Sequence, residues 1–389
     1  MTIVISLVLI VLATFTITKV CDGFETAADY LGRNLSEGVK GATINAIGSS
    51  MPELFTTLVF LFVFFDTSGF AGGIGTTAGS AVFNTMIIPA LSIIAAIRIF
   101  KIAMINVSKK VILRDGLTLI AVEFILIITI IDTLTWWHGL MFMLLYCVYV
   151  GYMIISMKSN SKSKKDVDVN EQGKDVNEQR KDDAEEENLN KSRVGALFTL
   201  DLEHVVVGNN ALVKGNAWIL LIVATLGIAL GSCLLVYGCE ILGDALGIKG
   251  YFVAVVVAAA ATSIPDTILS VRDARKGNYD DAVSNALGSN IFDICFALGF
   301  PLFLYTIIFG DIVMPSDVVN HITELRVLLL LLTVGAFFVF LFGGGMGIAK
   351  SILLLSTYVL FTVYIVGRAY EITWFQPLAD MMLAFRTLI

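Results

Sequence analysis

The sequence predicts an all-α polytopic membrane protein, and three observations support this fold class. The chain of 389 residues is 57% hydrophobic and only 15% charged, and its mean hydropathy of +0.84 exceeds that of soluble domains. The apolar residues fall in runs long enough to cross a bilayer as helices. Two segments, one in each half of the chain, carry the same unusual pattern of polar residues and proline inside such runs.

A spanning helix needs about 20 mostly apolar residues, because the hydrocarbon core of a bilayer is about 30 Å thick. About ten segments meet this criterion, and they cover residues 3–20, 39–65, 72–97, 112–132, 135–156, 216–240, 250–271, 281–308, 325–343 and 347–366. The first segment lacks a basic start and a small-residue cleavage site. It is therefore expected to be a transmembrane helix and not a removed signal peptide.

A long polar stretch divides the chain into two membrane halves. We expect a first transmembrane repeat over 1–156, a cytoplasmic polar loop over 157–214, a second transmembrane repeat over 215–366 and a C-terminal tail over 367–389. The loop is rich in Lys, Asp, Glu and Asn, so most of it is expected to be disordered.

Lys and Arg residues predict the orientation in the membrane, because they concentrate in cytoplasmic loops. With the N-terminus outside, 22 of the 26 Lys and Arg residues lie in or beside cytoplasmic loops. Both chain ends are therefore expected to be extracytoplasmic, and the 157–214 loop cytoplasmic. No organelle signal is evident, so the expected location is the plasma membrane or a bacterial inner membrane.

The two unusual segments indicate an inverted repeat. They read GATINAIGSSMPELF (41–55) and AAAATSIPDTILS (258–270), and they fall on predicted helices 2 and 7. An offset of five spans is odd, so the two halves cross the membrane in opposite directions. The preceding stretches CDGFETAADYLG and GCEILGDALG also resemble each other. The fold is therefore expected to contain two inverted five-helix repeats.

A proline in each segment predicts that helices 2 and 7 are discontinuous. Pro52 and Pro265 lack an N–H and clash with a carbonyl group one turn earlier. We expect the carbonyl oxygens around Ala46 and Ala259 to lose their intrahelical partners and to face a cation, because unpaired carbonyl groups are costly in lipid. The negative end of a half-helix also favours a cation.

Polar side chains recur at matching offsets around the two prolines and in a companion motif on the following helix, GSAVFN or GSNIFD. In the first half they are Ser49, Ser50, Glu53, Ser80 and Asn84, and in the second half Thr262, Ser263, Asp266, Ser289 and Asp293. All of them offer oxygen donors, and none is His or Cys. Oxygen coordination suits calcium, sodium and potassium ions better than zinc or copper.

Three carboxylates at the bilayer centre require neutralisation by cations or protons. Even one costs at least about 2.5 kcal/mol on insertion scales. Full ionisation of Glu53, Asp266 and Asp293 would suit a divalent ion, a divalent ion with a monovalent ion, or several sodium ions in turn. Competition between these states for one site is the physical basis of antiport.

At these residues the sequence resembles the calcium/cation antiporter superfamily, and in detail its potassium-dependent sodium/calcium exchanger branch. GSSMPELF with GSAVFN, and TSIPD with DDAVSNALGSNIFDICFALGFP, are similar to its two alpha-repeats, here 41–97 and 250–308. The resemblance implies a secondary active antiporter that exchanges sodium for calcium by alternating access. It implies no enzymatic activity and no cofactor. An acid at the Asp293 position is associated with potassium co-transport in this family.

The resemblance also implies roles for single residues. Glu53 and Asp266 would be ligands shared by calcium and sodium, and Asn84 and Asp293 would flank the centre. The hydroxyl groups that complete the calcium and sodium sites would be those of Ser50, Ser263, Ser49, Thr262, Ser80 and Ser289.

A calcium/proton exchanger is the alternative function, because protons can also neutralise carboxylates, although the hydroxyl-rich flanks of both motifs favour sodium. An intramembrane aspartyl protease is disfavoured because the sequence lacks a GxGD signature. An enclosed acidic pocket in an inverted repeat disfavours a channel. The expected partners are membrane lipid and inorganic cations. No basic patch suggests nucleic acid, and no protein partner is inferred.

Overall fold

Helices make up most of the structure, as the long apolar runs predict. The computed structural model describes residues 1–33, 46–64, 67–130, 132–163, 199–208 and 210–387. The long helices are α1 (Thr2–Leu31), α2a (Ala46–Ser49), α2b (Met51–Phe62), α3 (Thr67–Phe100), α4 (Lys109–Thr129), α5 (Trp136–Ser163), α6 (Lys214–Leu246), α7a (Gly250–Thr262), α7b (Ile264–Arg275), α8 (Tyr279–Phe309), α9 (Ser316–Leu341) and α10 (Ile348–Ala369). Shorter helices cover Leu202–Val206, Thr373–Phe375 and Gln376–Thr387, and the last of these is α11.

Each of the ten predicted spans coincides with a helix, or with a broken helix, in the described part of the chain. Seven of these helices are long and apolar enough to cross a bilayer, and the bent pair α7a and α7b is an eighth. Helix α2b is shorter, and it follows residues that lie outside the described ranges. Helix α4 has the necessary length, but beyond the two lysines at its start it carries three charged residues within its apolar stretch, Arg114, Asp115 and Glu123.

Several helices extend beyond the predicted spans. The prediction ends each of these spans near charged residues, whereas the helix itself continues past them out of the apolar layer. Helix α1 reaches Leu31, and α9 begins at Ser316. Helix α5 runs to Ser163, inside the predicted 157–214 loop. The part of that loop predicted to be disordered falls mainly on residues 164–198, outside the described residues. The predicted C-terminal tail contains α11.

Two short β pairs relate the halves of the structure. Strand β1 (Met104–Ile105), before α4, pairs antiparallel with β4 (Met346–Gly347), before α10. Strand β2 (Thr133–Leu134), before α5, pairs antiparallel with β3 (Ile312–Val313), before α9. Exchanging the two repeats converts one pair into the other, and the alternating helix directions put the pairs at opposite ends of the molecule. This is the geometry of an inverted repeat.

The end at which α1 finishes, which includes β1 and β4, is called the inner end below, and the opposite end the outer end. Helices α3 and α8 form the interior: 67% of the apolar window of α3 is buried, against 28% for α1, α5 and α10. Helices α1 and α6 pack closely through glycine. A Cβ added at Gly231 would lie 2.7 Å from Cγ1 of Ile17, so a larger residue does not fit there.

A buried arginine joins α9 to the C-terminal end of α4. The Arg326 side chain is 1% exposed. Its Nη1 donates to the carbonyl oxygens of Leu126 at 2.9 Å and Ile130 at 2.8 Å. The last carbonyl groups of a helix have no intrahelical donors, and a cation is favourable at the negative end of the helix dipole. The Leu126 carbonyl also accepts from the Ile130 N–H at 3.2 Å, so Arg326 adds a second donor there and supplies one to the carbonyl of Ile130, which follows the helix.

We expect Arg326→Met to destabilise the protein by about 2 kcal/mol or more, because buried carbonyl groups would lose their donors. The measurement is the midpoint of thermal unfolding in detergent. Lys350→Met is the matched control: Lys350 also donates to two carbonyl oxygens, of Phe342 and Gly344, but at an exposed position where water can replace it. Equal midpoints for both variants would contradict the capping role.

Candidate cation site

The two proline motifs fold in the same way. Helix α2a stops at Ser49 and α2b starts at Met51, so Ser50 is the break; Ser263 separates α7a from α7b in the same manner. Ser50 has φ −96° and ψ 7°, and Ser263 has φ −81° and ψ 0°. Helices α7a and α7b are bent by 40°. The predicted discontinuity of helices 2 and 7 is confirmed.

Each break places a carboxylate in the first turn of the half-helix that follows. Pro52 and Pro265 occupy early positions in α2b and α7b, where a missing N–H removes no helical hydrogen bond. Glu53 and Asp266 are the next residues, and the positive end of the helix dipole favours a negative charge there. Both side chains are fully buried.

Ser80, on α3, lies at the centre of the site. Its Oγ is 2.7 Å from Oγ of Ser263. It also lies 3.1 Å from Oε1 of Glu53 and 3.3 Å from Oδ2 of Asp293. A hydroxyl group has one proton, so Ser80 can donate to only one of these oxygens at a time. Ser80 therefore cannot donate a hydrogen bond to Glu53 and Asp293 at the same time.

Asp266 is held by residues from both companion motifs. Ser289 Oγ donates to its Oδ1 at 2.8 Å, and Asn84 Nδ2 donates to its Oδ2 at 3.3 Å. The Ser49 side chain also hydrogen-bonds to this carboxyl group. Asp266 thus joins α3 and α8 to both broken helices.

The remaining two hydroxyl groups border the other carboxylates. Thr262 lies beside Glu53 and donates to the carbonyl oxygen of Ala259 at 3.2 Å. Ser50 lies beside Asp293 without the geometry of a hydrogen bond. The structure therefore brings all ten predicted side chains together, while their roles as ion ligands stay a prediction.

Four oxygens of this site are buried without a hydrogen-bond partner among the described residues: Oγ of Ser50, Oε2 of Glu53, Oδ1 of Asn84 and Oδ1 of Asp293. In the same part of the chain, no Lys or Arg forms an ion pair with Glu53, Asp266 or Asp293. An ionised carboxylate buried without a partner is strongly unfavourable. These oxygens are therefore suitable ligands for a hard cation, which would coordinate to the ones that lack a hydrogen-bond partner.

The carboxylates do not form a compact cluster by themselves. Over the described ranges, no three His, Cys, Asp or Glu side chains are placed to hold a metal ion on their own. Hydroxyl and amide oxygens lie between the acids and contribute most of the donors. Such a mixed oxygen set is typical of sites for calcium and alkali ions.

The prediction that the Ala259 carbonyl lacks an intrahelical partner is wrong. It accepts from the Ser263 N–H at 3.1 Å and from Thr262 Oγ1 at 3.2 Å. The reason is the helical register: the missing N–H of Pro265 would have reached the carbonyl four residues earlier, at position 261. The equivalent expectation for Ala46 stays a prediction.

Asn290 joins the two halves of the site, and the sequence analysis missed it. Its Nδ2 donates to the carbonyl oxygen of Ala81 at 3.0 Å and to Thr85 Oγ1 at 2.8 Å. Asn290 follows Ser289 as Ala81 follows Ser80, so the contact joins equivalent positions of the repeats. The sequence did contain a signal: Asn290 is a polar residue within GSNIFD, whereas the equivalent position of GSAVFN is Ala81.

Irregular helix turns and glycine bring the helices close around the site. Residues Ala254–Ala258 of α7a and Asp293–Ala297 of α8 form π turns, which are frequent at functional sites. A Cβ added at Gly79 would lie 2.0 Å from the carbonyl oxygen of Val255. Only glycine therefore lets α3 approach the first π turn closely.

The comparison with known families agrees with this geometry. The model of the family described as "Sodium/calcium exchanger protein" matches residues 5–155 and 216–367. The chain belongs to this family. The family consists of secondary transporters, so the chain is an exchanger of cations and not an enzyme, and the predicted superfamily is confirmed.

Similar curated proteins carry the name of the potassium-dependent branch. The human sodium/potassium/calcium exchanger 5 is 28% identical over 366 residues, which cover 78% of this chain and 71% of that protein. The rat sodium/potassium/calcium exchanger 3 is 37% identical over 153 residues, or 38% of this chain. In that match the chain spans only 22% of the relative's length.

Solved structures show the same fold. The sodium-calcium exchanger NCX_Mj has a TM-score of 0.53 at 21% identity, with 92% of this chain and 97% of that chain covered. The H+/Ca2+ exchanger CAX has a TM-score of 0.56 at 14% identity, with 99% and 91% covered. These two exchangers have different driving ions in their names, so the fold alone does not distinguish sodium from protons.

We expect calcium to raise the thermal unfolding midpoint of the wild type, because a ligand at one hundred times its Kd stabilises by about 2.7 kcal/mol. Glu53→Gln and Asp266→Asn should lose this increase. Glu123→Gln is the control: Glu123 is a buried carboxyl group on α4 that accepts from Thr333 Oγ1 at 2.7 Å, outside the site. An unchanged calcium effect in Glu53→Gln would contradict the site.

Proposed function

We propose that this protein exchanges sodium for calcium across a membrane, with potassium carried together with calcium. The observation that carries the proposal is the full burial of Glu53, Asp266 and Asp293 in one site, where Oε2 of Glu53 and Oδ1 of Asp293 have no hydrogen-bond donor among the described residues. Hydroxyl and amide oxygens surround the cluster. The names of the similar exchangers support the same three ions.

The arrangement explains exchange in place of leak. Without cations, the ionised site would carry three negative charges through a dry barrier, which is unfavourable in a low-dielectric interior. Calcium with a potassium ion, or several sodium ions, neutralise that charge. Only a loaded site can therefore change its accessibility, and the two loads compete for Glu53 and Asp266. The full burial of the site residues corresponds to an occluded arrangement.

Sodium is favoured over protons by the hydroxyl groups. Six of the ten site side chains carry a hydroxyl group, which binding a proton does not require but which suits the weak oxygen coordination of an alkali ion. They are Ser49, Ser50, Ser80, Thr262, Ser263 and Ser289. Calcium/proton exchange is the second candidate, because CAX has the same fold.

The proposed orientation places the inner end in the cytoplasm and both chain termini outside. Its support is the positive-inside rule applied to the sequence. The proposed location is the plasma membrane or a bacterial inner membrane. The proposed partners are lipid and inorganic cations.

We expect purified protein in proteoliposomes to take up calcium when sodium is loaded inside. Glu53→Ala and Asp266→Ala should reduce uptake to background, because each removes a central ligand. Glu123→Gln, outside the site, should retain uptake and serves as the control. Normal uptake by Glu53→Ala would overturn the site, and uptake driven by a pH gradient but not by sodium would favour the proton exchanger.

We expect Asp293→Asn to transport calcium with little dependence on potassium. The variant keeps the shape of the side chain but removes one negative charge, so one fewer monovalent cation is needed for neutrality. The measurement is sodium-driven calcium uptake at increasing potassium concentration. Asp311→Asn, an exposed acid near the outer end, is the control. An unchanged potassium response in Asp293→Asn would contradict this role.

A further inference from the structure

A cysteine followed by an acidic residue occurs at equivalent positions of the two repeats. Cys21 and Asp22 lie on α1, and Cys239 and Glu240 lie on α6. Both cysteines are buried, whereas both acids are partly exposed. Because the repeats are inverted, Asp22 lies toward the inner end and Glu240 toward the outer end. Neither acid belongs to the central site.

Asp22 lines the cavities at the inner end, together called the inner vestibule below. The larger cavity, of about 230 Å³, is bordered by α1 and residues 199–203. A smaller cavity, of about 10 Å³, is lined by Asp22 together with Cys21, Pro265 and Arg272. Pro265 directly precedes Asp266, so the smaller cavity places Asp22 on the inner side of the central site. At about 10 Å³ this cavity is too narrow to form an open path for ions.

Glu240 lines the corresponding cavity at the outer end, called the outer vestibule below. This cavity has a volume of about 460 Å³ and is bordered by Phe60, Tyr251, Lys249 and other residues at the outer ends of α2b, α3, α7a and α9. The Glu240 carboxylate lies over the start of α7a, since a Cβ added at Gly250 would be 2.5 Å from Oε1.

We propose that Asp22 and Glu240 are symmetry-related vestibule carboxylates, each of which concentrates hard cations on its own side of the membrane. The inference rests on the proposed exchange function and deepens it. A carboxylate in a narrow, protein-walled opening focuses the electric field and raises the local cation concentration. Further acids line the same cavities, namely Glu25, Asp201 and Glu203 at the inner end and Asp317 at the outer end. Asp22 and Glu240 are the pair at equivalent positions of the inverted repeat, which suits a protein that must load ions from both sides.

Each vestibule also contains a basic side chain that opposes this effect. Arg272 Nη1 lies 3.6 Å from Oδ1 of Asp22, and both side chains are about half exposed. In the outer vestibule, Lys249 Nζ lies 2.6 Å from Oδ2 of Asp317. Exposed ion pairs contribute little to stability. Removing Arg272 should therefore leave the fold intact and free the charge of Asp22 for cations.

The test is calcium self-exchange, which needs no assumption about the driving ion, in inside-out and right-side-out vesicles. Asp22→Asn should raise the half-saturating calcium concentration on the inner side about fourfold at low ionic strength, and Glu240→Gln should do so only on the outer side. Because the energy scales with ion charge, the change for sodium should be about twofold. Arg272→Gln should lower the inner value.

The controls are Asp281→Asn at the inner end and Asp311→Asn at the outer end, both exposed acids that line neither vestibule. The proposal would be overturned if one variant changed the half-saturating calcium concentration equally on both sides. It would also be overturned if Asp22→Asn and Arg272→Gln changed the inner value in the same direction, because Asp22 and Arg272 would then form only a structural ion pair. Absence of calcium self-exchange in the wild type would instead refute the proposed function.

Discussion

The burial of three neighbouring carboxyl groups, with no basic partner in the described part of the chain, is the constraint on which the rest of this structure depends. Two other buried acids pair with arginine: Asp115 contacts Arg114 at 2.6 Å, and Glu324 contacts Arg368 at 2.8 Å. A third, Glu123, stands alone on α4 and accepts from Thr333 Oγ1, whereas the central acids lie together. Among the described residues the central acids accept from hydroxyl and amide groups, and Oε2 of Glu53 and Oδ1 of Asp293 have no donor there. Because uncompensated charge is so costly in a low-dielectric interior, the cluster is stable only with cations or protons bound. That requirement couples ion binding to the state of the whole protein.

The site is complete only when both repeats come together. Ser80 reaches Ser263, Asn84 reaches Asp266, and Asn290 reaches Ala81, and each of these contacts crosses between the halves. Gly79 allows the close approach of α3 and α7a on which the contacts depend. The inverted repeat thus combines two similar motifs, one from each half, into a single enclosed site.

The backbone around the site is already irregular. The helices break at Ser50 and Ser263, and π turns occupy Ala254–Ala258 and Asp293–Ala297. At these positions the regular helical hydrogen bonds are interrupted, so a change in helix direction there breaks fewer bonds than elsewhere. Away from the site, Arg326 caps α4 and the β pairs tie the loops of the two repeats together.

The sequence by itself determined the membrane class, the ten helical segments, of which seven or eight are apolar and long enough to span a bilayer, the inverted repeat and the group of polar side chains. These follow from local properties: the length of apolar runs, the odd number of spans between motifs, and the cost of placing Glu53 or Asp266 in lipid. The tertiary structure alone decided which oxygens meet, that Ser80 is central, that Asn290 bridges the halves and that the Ala259 carbonyl is paired. Such contacts depend on the rotation and depth of helices from opposite halves of the chain, which no local pattern specifies.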